Sequence, residues 1–206
     1  MEFFKTILPI ITLFLGAYLA PFIEVLKRKK EQSRFLSSIT IELGDNLSSI
    51  ESDIKTIYNS INTRVVNDDD FIHLSLPLEI EFTLLNKHLS DIYPILTRDQ
   101  RRAMRVLLTH EKTMIEKRQD IVNKYRKSNN ECLDIEQSLF HSYLCVYYIL
   151  NGLINQGKRY QQGNLQTYEI LNKTAKALGL TYPINYLSAT LYFHKKNQPT
   201  APTENE

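Results

Sequence analysis

An uninterrupted run of 18 uncharged, mostly apolar residues, Thr6 to Ile23, is followed by Lys27, Arg28, Lys29 and Lys30 and, one turn on, by Arg34. No other feature of the chain limits its fold so strongly. At 1.5 Å per residue the run spans roughly 27 Å as a helix, close to the thickness of a bilayer's hydrocarbon core. Lys5 and Glu24 lie near enough to its ends for their charges to reach the interfaces. With Glu31, the stretch 27–34 holds five cations and one carboxylate, a net +4. Because cations gather on the cytoplasmic side of a span, the pattern predicts a single-pass anchor over residues 1–30, with its short N-terminus outside. A cleaved signal peptide fits less well: the n-region carries Glu2 beside Lys5, and the best small site, Ala20, has Tyr18 at −3 and Pro21 after it. A buried core helix can be equally apolar, but four consecutive cations rarely follow one.

Pro9 and Pro21 sit near the two ends of the expected span, where a missing backbone hydrogen bond is most easily compensated. Thr12, Gly16 and Ala20 recur every four residues and form a small-residue ridge along which two helices can approach closely. They are the expected helix-association residues of a homo-oligomer. Lys27, Arg28, Lys29, Lys30 and Arg34 are the expected membrane-surface residues. Each cation held at an anionic leaflet contributes on the order of 1 kcal/mol, so the cluster predicts a bilayer with anionic headgroups as partner. Nucleic acid is not expected there, because no aromatic residue lies between Lys27 and Arg34 to stack on bases.

Beyond the cluster, Leu36, Ile39, Leu43, Leu47, Ile50, Ile54, Ile57 and Ile61 follow spacings of three and four, a helical stripe of nearly heptad regularity. Such a stripe serves either a coiled-coil stalk or the first helix of an intramolecular bundle. Fewer than four full heptads favour the bundle. The polar stretch Asn62 to His73 reads as a solvated loop; Asp68, Asp69 and Asp70 are adjacent and point apart, without the spaced acids of a calcium loop. Leu78, Phe82, Leu85, Leu89 and Ile92 predict a helix between Pro77 and Pro94. Thr97 with Gln100 marks a capping box before a long charged helix carrying Ala103, Leu107, His110, Met114, Ile121 and Tyr125, ending near 128–130.

From Gln137 to Gly157 the chain again runs without charge, but His141, Ser142, Asn151, Asn155 and Gln156 interrupt it and no cationic flank follows. A buried central helix is favoured over a second span. A further helix starts near Asn164 and passes through Tyr168, Leu171, Ala175 and Leu178 to a stop at Gly179. The aromatic-rich stretch 183–196 predicts a last helix, and 197–206 a disordered tail. Only 6 Gly and 7 Pro among 206 residues agree with an all-α chain. The expected fold is thus an N-terminal transmembrane helix followed by a cytoplasmic bundle of about six helices over 31–196.

Chemistry is sparse. Cys132 and Cys145 have no metal or redox spacing, and net charge is +2, too small to mark the whole chain as a nucleic-acid binder. His141 and Cys145 share one helix face, in an apolar setting that suits a structural cysteine better than a nucleophile. Arg105 to His110, an Arg and a His separated by four residues, resembles the R-x4-6-H motif of HEPN ribonucleases, which are also helical. The resemblance covers six positions, Val106 departs from the polar residue usual after the Arg, and it would make Arg105 and His110 a catalytic pair. Ten Arg and five His with three permitted spacings yield roughly 0.7 such matches by chance. No catalytic residue, cofactor or metal is therefore expected. Three functions follow: a scaffold or interaction protein tethered to the inner (cytoplasmic) membrane, favoured; an oligomeric membrane-perturbing effector of the toxin or phage-defence kind; and a cryptic HEPN-like ribonuclease.

Overall fold

The structure, a computed structural model, describes residues 2–66, 76–125, 129–161, 163 and 165–180, without the side chains of 2–14, 65, 66, 129 and 130. Among the described residues the chain is all-α, with α1 at Glu2–Val66, α2 at Thr83–Ile92, α3 at Arg98–Lys124, α4 at Asn129–Gln156 and α5 at Thr167–Ala177. Single 3-10 turns at Tyr93–Ile95 and Gly157–Arg159 follow α2 and α4. The expected helix over 183–196 and the tail 197–206 lie outside the described residues, as do Asp68, Asp69, Asp70 and His73 of the polar loop.

Helix α1 has 65 residues, roughly 100 Å of continuous helix through Pro9, Pro21 and Gly44. Its periodic stripe is spent inside the molecule: Ile39, Leu43, Ile50, Ile54, Ile57 and Ile61 are buried, with Leu36 and Leu47 packed at the margin. The coiled-coil alternative is corrected accordingly, because the face it needs is already covered. That cover comes from α4, which also packs on α3 and α5 and is the central helix of the bundle. Leu139, Phe140, Tyr143, Leu144, Val146, Ile149, Leu150 and Leu153 of α4 are all buried, as a helix apolar on most sides requires.

Among the described residues no helix is long and apolar enough to cross a membrane. The transmembrane part of the expected fold thus finds no support in the helices so described, and residues 137–156 lie in α4, the central helix of the bundle. Residues 6–14 of the expected N-terminal span, Thr12 included, fall among those whose side chains are not described.

Three boundaries depart from expectation. Helix α1 continues to Val66, so 62–66 are helical rather than loop. The reason is a buried polar cluster: Arg64 Nε lies 2.9 Å from Glu136 Oε2 of α4, and Ser60 Oγ donates to Glu136 Oε1 at 3.2 Å. Helix α2 begins at Thr83, not at Leu78, which is 79% exposed. Residues 76–82 are instead held by tertiary bonds, the Tyr143 hydroxyl donating to the Leu78 carbonyl at 3.0 Å and the Phe82 N–H to Glu111 Oε1 at 2.8 Å. The free N–H groups of Leu84 and Leu85 donate to the two oxygens of Glu42 on α1, at 2.7 and 2.9 Å, so α2 is capped from another helix. Helix α5 takes its capping box from Gln166 and Glu169; Asn164 lies outside the described residues.

The other two end signals are found where the sequence placed them. Thr97 Oγ1 accepts from the Gln100 N–H at 3.2 Å, and Gln100 Oε1 accepts from the Thr97 N–H at 2.9 Å. Gly179, at φ +67°, closes α5: the Leu180 N–H reaches the Ala175 carbonyl and the Gly179 N–H the Lys176 carbonyl, a Schellman pair that needs a left-handed residue.

Candidate membrane-facing site

From Leu15 to Glu31 every side chain of α1 is exposed. Leu15, Tyr18, Leu19, Phe22, Ile23, Val25 and Leu26 therefore have no cover from the bundle. Among the described side chains Gln32 is the first that is buried; its Nε2 donates to the Asp91 carbonyl at 2.9 Å. One turn on, the Phe35 ring stacks on the His88 ring at 4.1 Å between centroids. The bundle thus begins within one helical turn of the cationic cluster, and Lys27, Arg28, Lys29, Lys30 and Arg34 are all exposed beside it. Of the small-residue ridge, Ala20 is exposed, and a Cβ added at Gly16 would meet nothing within 4 Å.

The same end of the bundle gathers cations that sequence reasoning did not single out. Gln100 Nε2 donates to the Gly157 carbonyl at 3.0 Å, joining the start of α3 to the end of α4. This sets Arg98, Arg101, Arg102 and Arg105 of α3 near Lys158 and Arg159 after α4, and Arg101 and Arg105 reach Tyr93, two residues past the Asp91 that bonds Gln32. Spacing alone gave no signal, since three separate segments contribute and each reads as an ordinary solvated face.

The chemically suggestive pairs are placed less productively. Arg105 and His110 are five residues apart on α3, which turns them about 140° from one another. The Arg105 guanidinium lies 5.0 Å from the centroid of Tyr93, while His110 is partly buried near Lys117. The structure does not bring the two onto one face. His110, Lys117, His141 and Cys145 form a partly buried group between α3 and α4, where Lys117 Nζ donates to the Ser138 carbonyl at 3.0 Å and to Ser142 Oγ at 3.1 Å. Burial, then the Lys117 charge, holds both imidazoles below the usual histidine value. Burial also lowers Lys117, and it raises the Cys145 thiol, which opposes thiolate formation. Among the described residues no group of three or more His, Cys, Asp or Glu is arranged to hold a metal ion.

A small cavity of about 130 Å³ lies between α4 and α5, lined by Tyr148, Gly152, Tyr160, Lys173 and Thr174 among others. Gly152 is required there, because a Cβ would stand 2.7 Å from Tyr160 Cε2. Burial pushes the Tyr160 phenol up to about 12. No protein-family model matches this chain, and comparisons with curated proteins and with solved structures find no match.

Proposed function

We propose that this chain is an anchored interaction protein: α1 crosses the inner membrane with its short N-terminus outside and carries a helical bundle on the cytoplasmic side. The observation that carries the reading is the first part of α1, an uncharged run of 18 residues ending at a cationic cluster, with exposed apolar side chains from Leu15 to Leu26. In water that surface is costly at about 25 cal/mol per Å²; in a bilayer it is matched. Full-length protein should stay in the membrane pellet after carbonate and high-salt washing, and a C-terminal reporter should read cytoplasmic. Release by carbonate, or a periplasmic reporter signal, would refute the anchor. On this reading the bundle works through its exposed surface, and its partner is another protein or a second copy.

An effector reading is favoured by one observation, the open ridge at Gly16 and Ala20. A lone span conducts nothing, so membrane damage requires several copies packed along such a ridge. Gly16→Leu keeps the helix apolar but holds backbones apart. Under the effector reading it abolishes dye leakage in overexpressing cells; under the scaffold reading neither form leaks.

A further inference from the structure

Tyr93, Arg98, Arg101, Arg102, Arg105, Val106 and Thr109 line a hollow of about 370 Å³ at the bundle end next to the cationic cluster. The guanidinium carbons of Arg101 and Arg105 each lie 5.0 Å from the Tyr93 ring centroid. These cation–π contacts hold both guanidinium groups at one ring, and a guanidinium's forked N–H donors suit bidentate capture of a phosphate. Among the described residues no carboxylate lies within ion-pair distance of these four arginines. Arg98, Arg102 and Arg105 are exposed.

Charge is concentrated here out of proportion to the rest of the molecule. Segments 27–34, 91–105 and 157–159 hold eleven Lys and Arg against Glu31, Asp91 and Asp99, a net +8 in a chain whose total is +2. The remainder is accordingly acidic, at −6, and is repelled by any anionic surface that attracts this end. Position selects the surface. Gln32, bonded to the Asp91 backbone, is two residues from Lys30, about 3 Å along the helix axis. Tyr93 follows Asp91 by two residues, so the hollow opens from the part of the bundle nearest Lys27–Lys30, on the side that faces the leaflet if α1 is an anchor.

We propose that the arginine-lined hollow around Tyr93 takes the phosphate of an anionic lipid headgroup and seats the bundle on the leaflet from which α1 emerges. This rests on the anchor reading above and adds to it: the bundle is held at the surface rather than hanging from a free stalk. The four arginines favour the seated state at low salt, and added salt weakens it by screening.

The chain has no tryptophan, so Tyr93→Trp places a single fluorophore in the hollow while keeping an aromatic ring under the two arginines. Full-length Tyr93→Trp is placed in nanodiscs of phosphatidylcholine alone or with 30% phosphatidylglycerol, each doped with a headgroup-labelled quenching lipid, and insertion is checked separately by flotation after carbonate. Quenching should be at least twofold greater with phosphatidylglycerol, and should fall by half or more in 0.5 M salt and in Arg101→Gln/Arg105→Gln. Arg98→Gln/Arg102→Gln supplies a second, independent loss, with circular dichroism confirming the helices of both. Inserted protein quenched equally in the two lipids overturns the proposal and leaves the anchor standing; protein released by carbonate overturns both. An emission shift with inorganic phosphate in phosphatidylcholine discs, without any response to phosphatidylglycerol, assigns the hollow to a soluble phosphate instead. Sub-micromolar binding of single-stranded RNA, lost in the arginine variants and unmatched by lipid, would also overturn it.

Discussion

The two parts of α1 share one unbroken backbone and differ in everything else. From Gln32 downward the helix is apolar on one stripe and polar elsewhere, and the stripe is buried against α2 and α4. Above Gln32 it is uncharged on every face through 18 residues, and from Leu15 every described side chain is exposed. A helix satisfies its backbone hydrogen bonds internally, so the backbone carries no record of its solvent. Side-chain distribution alone separates a core helix from an anchor. The change of pattern falls at the cluster Lys27–Lys30, and the proposed anchor rests on that change.

The comparison is tested most severely at the far end of the lower part. Arg64 and Glu136 are 4% and 1% exposed, so removing one charge strands the other away from water. Glu136→Ala should cost about 3–5 kcal/mol of bundle stability in urea titration. A double replacement, Arg64→Met with Glu136→Met, should recover most of it, because a buried pair is often matched by well-packed apolar residues of similar volume. Equal losses in the single and double variants would show that packing around the pair, not the charge, is what matters.

Next in size is the contrast between the two apolar surfaces. Ile54 is fully buried, and Ile54→Ala should cost about 2–5 kcal/mol through lost transfer energy and the cavity left behind. Ile23 is 48% exposed, and Ile23→Ala should leave the urea midpoint of the bundle unchanged. Comparable losses at both positions would erase the distinction between the two parts of α1.

Sequence reasoning recovers what is local and periodic. The buried stripe from Ile39 to Ile61, the Thr97–Gln100 box and the Gly179 stop are each written within a few residues, and each is found in place. What it misses is supplied across the chain. Leu78 and Phe82 have helical spacing with Leu85, yet the helix starts at Thr83, because Tyr143 and Glu111 hold the preceding backbone outside the helix while Glu42 caps the first turn. Charged residues are the harder case. Glu136 reads as surface and is core, and the arginines around Tyr93 read as a solvated face until folding gathers them about one ring. The Glu42 cap yields a prediction of intermediate size: Glu42→Ala leaves two N–H groups without their acceptor and should cost about 1–2 kcal/mol, with exchange accelerating at Leu84 and Leu85. Unchanged exchange there would show that water replaces the carboxylate at no cost.

The smallest effect expected is a slope with pH, and it separates the lower part of the molecule from the upper because both titrating groups lie in the bundle. His110 and His141 sit between α3 and α4 beside Lys117, Ser138, Ser142 and Cys145, and burial followed by the Lys117 charge lowers both imidazoles from 6.5. The unfolded chain therefore takes up protons at a higher pH than the folded one. Stability is fully present above about 6.5, declines as pH falls through that value toward the lower folded one, and levels off below it. Asp53, which burial raises above 3.8, has the opposite sign, contributing fully below 3.8 and losing its contribution as pH rises through its folded value. The two trends are separated by substitution rather than by pH alone. Urea midpoints at pH 7.5, 6.5 and 5.5 should decline for the parent chain and flatten for His110→Asn/His141→Asn, whereas the membrane retention proposed for the upper part of α1 should not change across this range. A parent midpoint that rises on acidification, by a rise that His110→Asn/His141→Asn removes, would mean that these imidazoles gain a favourable partner on protonation, which would reverse the role assigned to Lys117.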